Sequence, residues 1–131
     1  MAYVLYIERR GPGGALSPIT IQEWQTAVRE SEGVRLSRHP VMARNSKTGE
    51  TFPLPYAGED AAVFIEAKGK WIRVFHWFEP GRIRFSAPIG FHEPDSEIGV
   101  VARALAAKLG AAFADDPDAG YEPDSDYEDL D

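Results

Sequence analysis

Three histidines are the first residues to test for chemistry, and His39, His76 and His92 stand 37 and 16 residues apart. A preformed metal site uses ligands one helical turn or one short hairpin apart, and none of these spacings qualifies. His76 falls inside a predicted strand and reads as a hydrogen-bonded core or edge residue, while His92-Glu93 reads as loop. The loop Gly11-Pro12-Gly13-Gly14-Ala15-Leu16 lies between a strand and a helix, where phosphate cradles occur. A dinucleotide fingerprint needs a third small residue where Leu16 stands, and a P-loop needs Lys-Ser/Thr, so the run reads as a plain turn. No Gly-x-Ser-x-Gly elbow is present. Glu59-Asp60 reads as a solvent-facing loop pair. The absence of Cys removes disulfides, thiolate nucleophiles, Fe–S clusters and cysteine-based zinc sites together. No metal and no cofactor is expected.

The informative constellation comes from strand register. If Lys68-Gly69 is a two-residue turn, Ala67 pairs with Lys70, Ile65 with Ile72 and Val63 with Val74. Carried through the Glu79-Pro80-Gly81-Arg82 turn, this parity puts Val63, Ile65, Ile72, Val74, His76, Phe78, Ile83 and Phe85 toward the core. The other face then presents Phe64, Glu66, Trp71, Arg73, Phe75, Trp77, Arg82, Arg84 and Ser86. Aromatics mixed with arginines are the anchors that protein interfaces use, and single-strand nucleic-acid readers use them too. Two structural alternatives stand beside this reading. A loop or helix covers the face while the arginines reach past it to water, or a three-residue turn slips the register of the last strand.

The elements that must position these residues follow from periodicity and caps. Tyr3 to Arg9 alternates as a strand. Thr20-x-x-Glu23 is a capping box, and Ile19 and Trp24 occupy the positions of a hydrophobic staple. The helix it starts buries Ile21, Trp24 and Val28 and stops at Gly33. Val34–Arg44 and Glu50–Tyr56 read as strands around the turn Asn45–Gly49, with Pro53 and Pro55 placing the second at an edge. A meander follows over 61–67, 70–78 and 82–87. A second helix, capped by Asp95 or Ser96, buries Ile98, Val101, Leu105 and Leu109 and ends at Gly110. Residues 111–114 add a short last strand. The fold class is therefore α+β, an antiparallel sheet of about five or six strands with two helices packed on one face.

Charge divides the chain. Nine of its 21 acids lie in residues 115–131, with no base, leaving 12 acids against 14 bases in residues 1–114. The expectation is one domain over 1–114 and a disordered acidic tail over 115–131, whose removal leaves the melting temperature within a few degrees. Its candidate partner-binding residues are Asp124, Asp126, Glu128 and Asp129, steering a basic partner by charge, and Tyr127 as an apolar anchor between them. The N-terminal apolar run ends at Glu8, too short for a signal peptide or membrane span, so a cytoplasmic location is expected.

Ile19–Trp24, Ala43–Glu50 and Leu109-Gly110-Ala111 resemble stretches of small bacterial immunity proteins encoded beside secreted polymorphic toxins. The resemblance implies a class only: a small protein that binds a cognate toxin domain and blocks its active site or assembly. The expected partner is thus a protein, a toxin domain with a cytosolic target, contacted through Trp71, Arg73, Phe75, Trp77, Arg82 and Arg84. No enzymatic activity and no membrane contact are expected. Two other classes stay open. One is an enzyme using His76 or His92, favoured if a carboxylate lies within hydrogen-bond distance in a cleft. The other is a nucleic-acid or regulatory binding domain using Arg73, Arg82 and Arg84, which the acidic tail opposes.

Overall fold

The computed structural model describes residues 2–37, 41–54, 59–88, 90–115, 121–122 and 127–129. Strand β1 (Ala2–Arg10) leads through a single 3-10 turn at Pro12–Gly14 to β2 (Leu16–Ser17) and helix α1 (Ile21–Arg29). Then come β3 (Val34–Leu36), the hairpin β4 (Val41–Asn45) and β5 (Thr51–Leu54), and the meander β6 (Asp60–Ile65), β7 (Lys70–Phe78) and β8 (Arg82–Pro88). Helix α2 (Glu97–Leu109), β9 (Ala112–Asp115), β10 (Tyr121–Glu122) and β11 (Tyr127–Asp129) complete the described elements. The protein is α+β, and every strand pair described is antiparallel. Among the described residues no helix is long and apolar enough to cross a membrane.

Both helices start as their caps dictate. The Thr20 hydroxyl accepts from the Glu23 amide at 3.1 Å, and the Glu23 carboxylate accepts from the Thr20 amide at 3.0 Å. Ile19 and Trp24, the staple residues, are both fully buried. α1 ends at Arg29, ahead of the expected Gly33, which instead makes the left-handed turn into β3. Ser96 caps α2 through the Gly99 amide at 3.0 Å, and Gly110 closes it at φ +62°. Gly81 has the tightest backbone requirement. At φ +143° a Cβ there would lie 2.6 Å from both Ile19 N and Ile19 O, so only glycine lets the β7–β8 turn seat the entry to α1.

The helices share one face of the sheet. Trp24 and Val28 of α1 and Val101 and Leu105 of α2 join Leu5, Ile7, Val63, Phe75, Ile83 and Phe85 in one core. Arg9 ties three elements together at its rim. Its guanidinium donates to both Glu23 carboxylate oxygens at 2.7 and 2.8 Å, and to the Pro18 and Leu109 carbonyls at 2.8 and 3.2 Å. The Arg9 hydrogen bond, helped by the Thr20 amide, holds the Glu23 carboxyl down at about 2. A depressed carboxyl stabilises the fold fully above about pH 4.5, where a free Glu is ionised, and that contribution is lost as pH falls toward 2. Glu23→Gln should therefore melt a few degrees below the wild type at pH 7. The gap should close in melts taken between pH 4.5 and 2. The pair is partly exposed, so a gap larger than about 1 kcal/mol is not expected.

Register departs from expectation in three places. The β6–β7 loop has four residues, with Ile65 opposite Lys70 and Val63 opposite Ile72. A two-residue slip leaves the faces unchanged. A bulge then sets Ala61 opposite Phe75 but Ala62 opposite Arg73, so Val74 is the extra residue. Beyond it parity inverts. Phe75 and Trp77 point into the core and His76 and Phe78 away from it, correcting the placement of all four. The β7–β8 loop has three residues, Phe78 pairing with Arg82, and this second one-residue slip cancels the first. Ile83 and Phe85 thus face the core as expected, and Arg82 and Arg84 face outward.

Two further expectations are corrected. The run 34–44 is not one strand: β3 pairs with β6, whereas β4 pairs with β5 and β11. The acidic tail is not without structure, since Tyr121–Glu122 pairs with β1 and Tyr127–Asp129 with β4 and β7. Removing residues 115–131 would cost these ladders, which withdraws the expected indifference of the melting temperature. The antiparallel sheet and two helices are as expected; among the described residues the sheet path runs β10-β1-β8-β7-β11-β4-β5, with β2, β3, β6 and β9 beside it.

Candidate binding face

The face opposite the helices is built by alternation in four adjacent strands. β1 contributes Tyr6 and Glu8, β8 contributes Arg82 and Arg84, β7 contributes Trp71, Arg73, His76 and Phe78, and β6 contributes Asp60 and Phe64. Pairing sets His76 beside Arg84 and Arg84 beside Tyr6 across three strands, with Phe78 beside Arg82. Directly opposed residues have their Cβ atoms about 5 Å apart, close enough for the side chains to act together.

Glu8 organises one half of this face. It is only 7% exposed, and its carboxylate accepts from the Arg10 guanidinium at 3.0 and 3.2 Å. Its other oxygen lies 2.8 Å from Arg82 Nε, an ion pair rather than an aligned hydrogen bond. So held, the Arg82 guanidinium lies 3.7 Å from the Tyr6 ring centre, and the Phe78 ring packs 5.7 Å from Tyr6. The result is a cation stacked on an aromatic and pinned from behind by a buried carboxylate.

Asp60 organises the other half. It opens β6 and is 7% exposed, contrary to its reading as a solvent-facing loop residue. Arg73 donates to its Oδ2 at 2.7 Å, and His76 Nδ1 lies 2.5 Å from its Oδ1. The imidazole also stacks on Phe78 at 6.2 Å. Burial beneath this network removes Arg73, 9% exposed, from the expected set of surface anchors. A short distance away Trp71 packs edge-on to Phe64 at 5.4 Å, under the Arg35 guanidinium at 4.5 Å.

The other candidate residues scatter. Phe75 is 1% exposed in the core, and Trp77 is packed against it with Nε1 donating to the Ile19 carbonyl at 2.8 Å, so neither is a surface anchor. His92 is exposed, its Nε2 3.2 Å from the Tyr3 hydroxyl, far from the His76 network in the fold's register. His39, Asp124 and Asp126 lie outside the described residues. Tyr127 and Asp129 belong to β11, and Glu128 is bound by Arg44 and Lys70, so it is no free steering charge. Sequence reasoning missed Tyr6, Glu8, Asp60 and Phe78 as members of this face. Tyr6 and Glu8 were legible as the outward half of β1, once β8 is known to pair with it.

Chemically, the arrangement offers two things. His76 is oriented by a carboxylate, as proton-transfer sites require, but that carboxylate is shared with Arg73, as in structural ion-pair networks. Among the described residues no group of three or more His, Asp or Glu side chains is placed to hold a metal ion. The side chains that register and stacking set beside His76 are Arg84 and Phe78, a cation and an aromatic. On the helical side a groove of about 350 Å³ runs between α1 and α2, lined by Gln22, Thr26, Glu30 and Lys108 among others, and holds none of these residues. No protein-family model, curated protein or solved structure matches the chain.

Proposed function

We propose that the protein is an immunity-type binding protein, acting in the bacterial cytoplasm, that neutralises a cognate toxin domain by contact through the sheet face opposite its helices. The observation that carries this reading is the Arg82–Tyr6 stack pinned by Glu8. Arg and Tyr are the side chains that dominate interface energetics, and holding them in place beforehand reduces the ordering cost of association. The body's charge near neutrality and the mixed cations and aromatics of the face suit a protein surface better than a polyanion.

Co-expression with the toxin domains encoded beside its gene tests the reading. Growth should be rescued, and the purified pair should run as a defined complex. Arg82→Ala should weaken that complex by about thirtyfold, or about 2 kcal/mol, through a faster off-rate. Failure to relieve any neighbouring toxicity would refute the function, and normal binding by Arg82→Ala would refute the face.

The Asp60–His76 hydrogen bond favours a second reading, acid–base catalysis by His76. The two separate on His76→Gln, which should still neutralise the toxin to within a few-fold. Loss of protection with the fold intact would move the function to catalysis.

A further inference from the structure

β6 and β11 both pair with Ile72, and β6 and β8 both pair with Phe75 and His76. A strand has two edges, so β8 and β11 must share one edge of β7. β8 pairs with β7 from Phe78 back to Phe75, and the described pairing then passes to β11 at Glu128. The other edge of β11 carries the β4–β5 hairpin, through Asn45, Arg44 and Ala43. A gap one strand wide thus lies between β4 and β7, with backbone donors and acceptors on both sides.

Its side-chain chemistry is specific at one position. Glu128 Oε2 accepts from Arg44 Nε and NH2 at 3.0 and 2.6 Å and lies 3.6 Å from Lys70 Nζ. Its side chain is 12% exposed, while both cations are 39% exposed. Two partly exposed cations from two different strands therefore converge on one largely buried carboxylate. Among the described residues, the segment filling the gap is Tyr127–Asp129.

We propose that the gap between β4 and β7 is a binding slot for an acidic extended segment of a partner protein, and that Tyr127–Asp129 fills it when that partner is absent. The main-chain pairing would take any extended backbone, and Arg44 with Lys70 would select a carboxylate at the central residue, the logic of strand addition to a sheet. The chain's own Tyr-Glu-Asp is the template for what fits. The inference stands apart from the immunity reading, because its test needs only this chain and a peptide.

The probe is a fluorescent peptide of residues 121–131, titrated by anisotropy against the full chain and two variants. A tethered strand competes at an effective concentration of about a millimolar, so the wild type should bind the peptide weakly. Glu128→Lys sets like charges together and should empty the slot, raising affinity for the peptide about tenfold or more. The peptide that itself carries Glu128→Lys should fail on that variant but bind Arg44→Glu. Equal affinity for wild type and both variants, or affinity indifferent to peptide charge, overturns the proposal. So does a dimer on size-exclusion chromatography of the wild type, which would mean strand exchange between copies. Amide spectra of isotope-labelled wild-type protein need no variant. Excess unlabelled peptide should shift the signals of 127–129 to those of a free segment while Ala43–Asn45 and Ile72 stay paired, and an unchanged spectrum counts against the slot.

Discussion

Asp60→Ala should destabilise the protein by about 3–5 kcal/mol and lower its melting temperature by about 10 °C or more. Asp60 is the carboxylate that faces Arg73 at 2.7 Å and His76 at 2.5 Å on the outward sheet face, where Asp60 and Arg73 are buried and His76 is partly exposed. Removing it leaves the buried guanidinium without this counter-charge, and that loss outweighs the modest worth of the intact pair. Asp60→Asn keeps the shape and one acceptor and should cost less than half as much. Urea unfolding followed by circular dichroism measures both. Equal, small effects of the two changes would mean that Arg73 is neutralised from elsewhere and that Asp60 does not organise this face.

Trp24→Ala should cost a similar amount, about 3–5 kcal/mol, from a different source. The indole is fully buried, packs edge-on to Phe75 at 6.0 Å, and donates from Nε1 to the Glu59 carbonyl at 3.0 Å. The cavity accounts for most of the loss, and the missing indole hydrogen bond adds the rest. Glu59 immediately precedes Asp60, and its carbonyl also accepts from the Trp77 amide at 3.0 Å, so this one peptide is held from the core while the next residue holds the outer face. The two substitutions should therefore not add. A double-mutant cycle by urea unfolding should show a coupling above about 0.5 kcal/mol, whereas additivity within error would mean that core and outer face are independent.

The helices were legible because their signals are local. Thr20 with Glu23, and Ser96 with Gly110, define caps whose partners lie within four residues in sequence or at the helix's own end. The sheet faces were legible only between irregularities. Nothing in Trp71–Phe78 marks Val74 as a bulge, because the bulge is a relation to Ala61 and Ala62 on another strand. That single residue sends Trp77 inward and His76 outward, which relocates the candidate histidine from core to surface. Asp60 escaped notice because its burial depends on Arg73 and His76 arriving from β7. The tail read as disordered on composition, and its described segments are ordered by backbone pairing and by Arg44, which composition does not register.

Arg44 and Glu128 meet across 84 residues of chain. During synthesis, the β4–β5 hairpin leaves the ribosome long before the strand that will connect it to the body. The β4 edge therefore stays unpaired with β11 until residues 127–129 have been made. Until then the edges of β4 and β7 stand open beside the nascent chains of a polysome, where they could pair with the wrong strand. Arg44 places a charge on one such edge, and Pro53, opposite Met42 in the hairpin, withholds an amide from β5. Arg44, which positions the last strand, thus also protects the protein before that strand has been made.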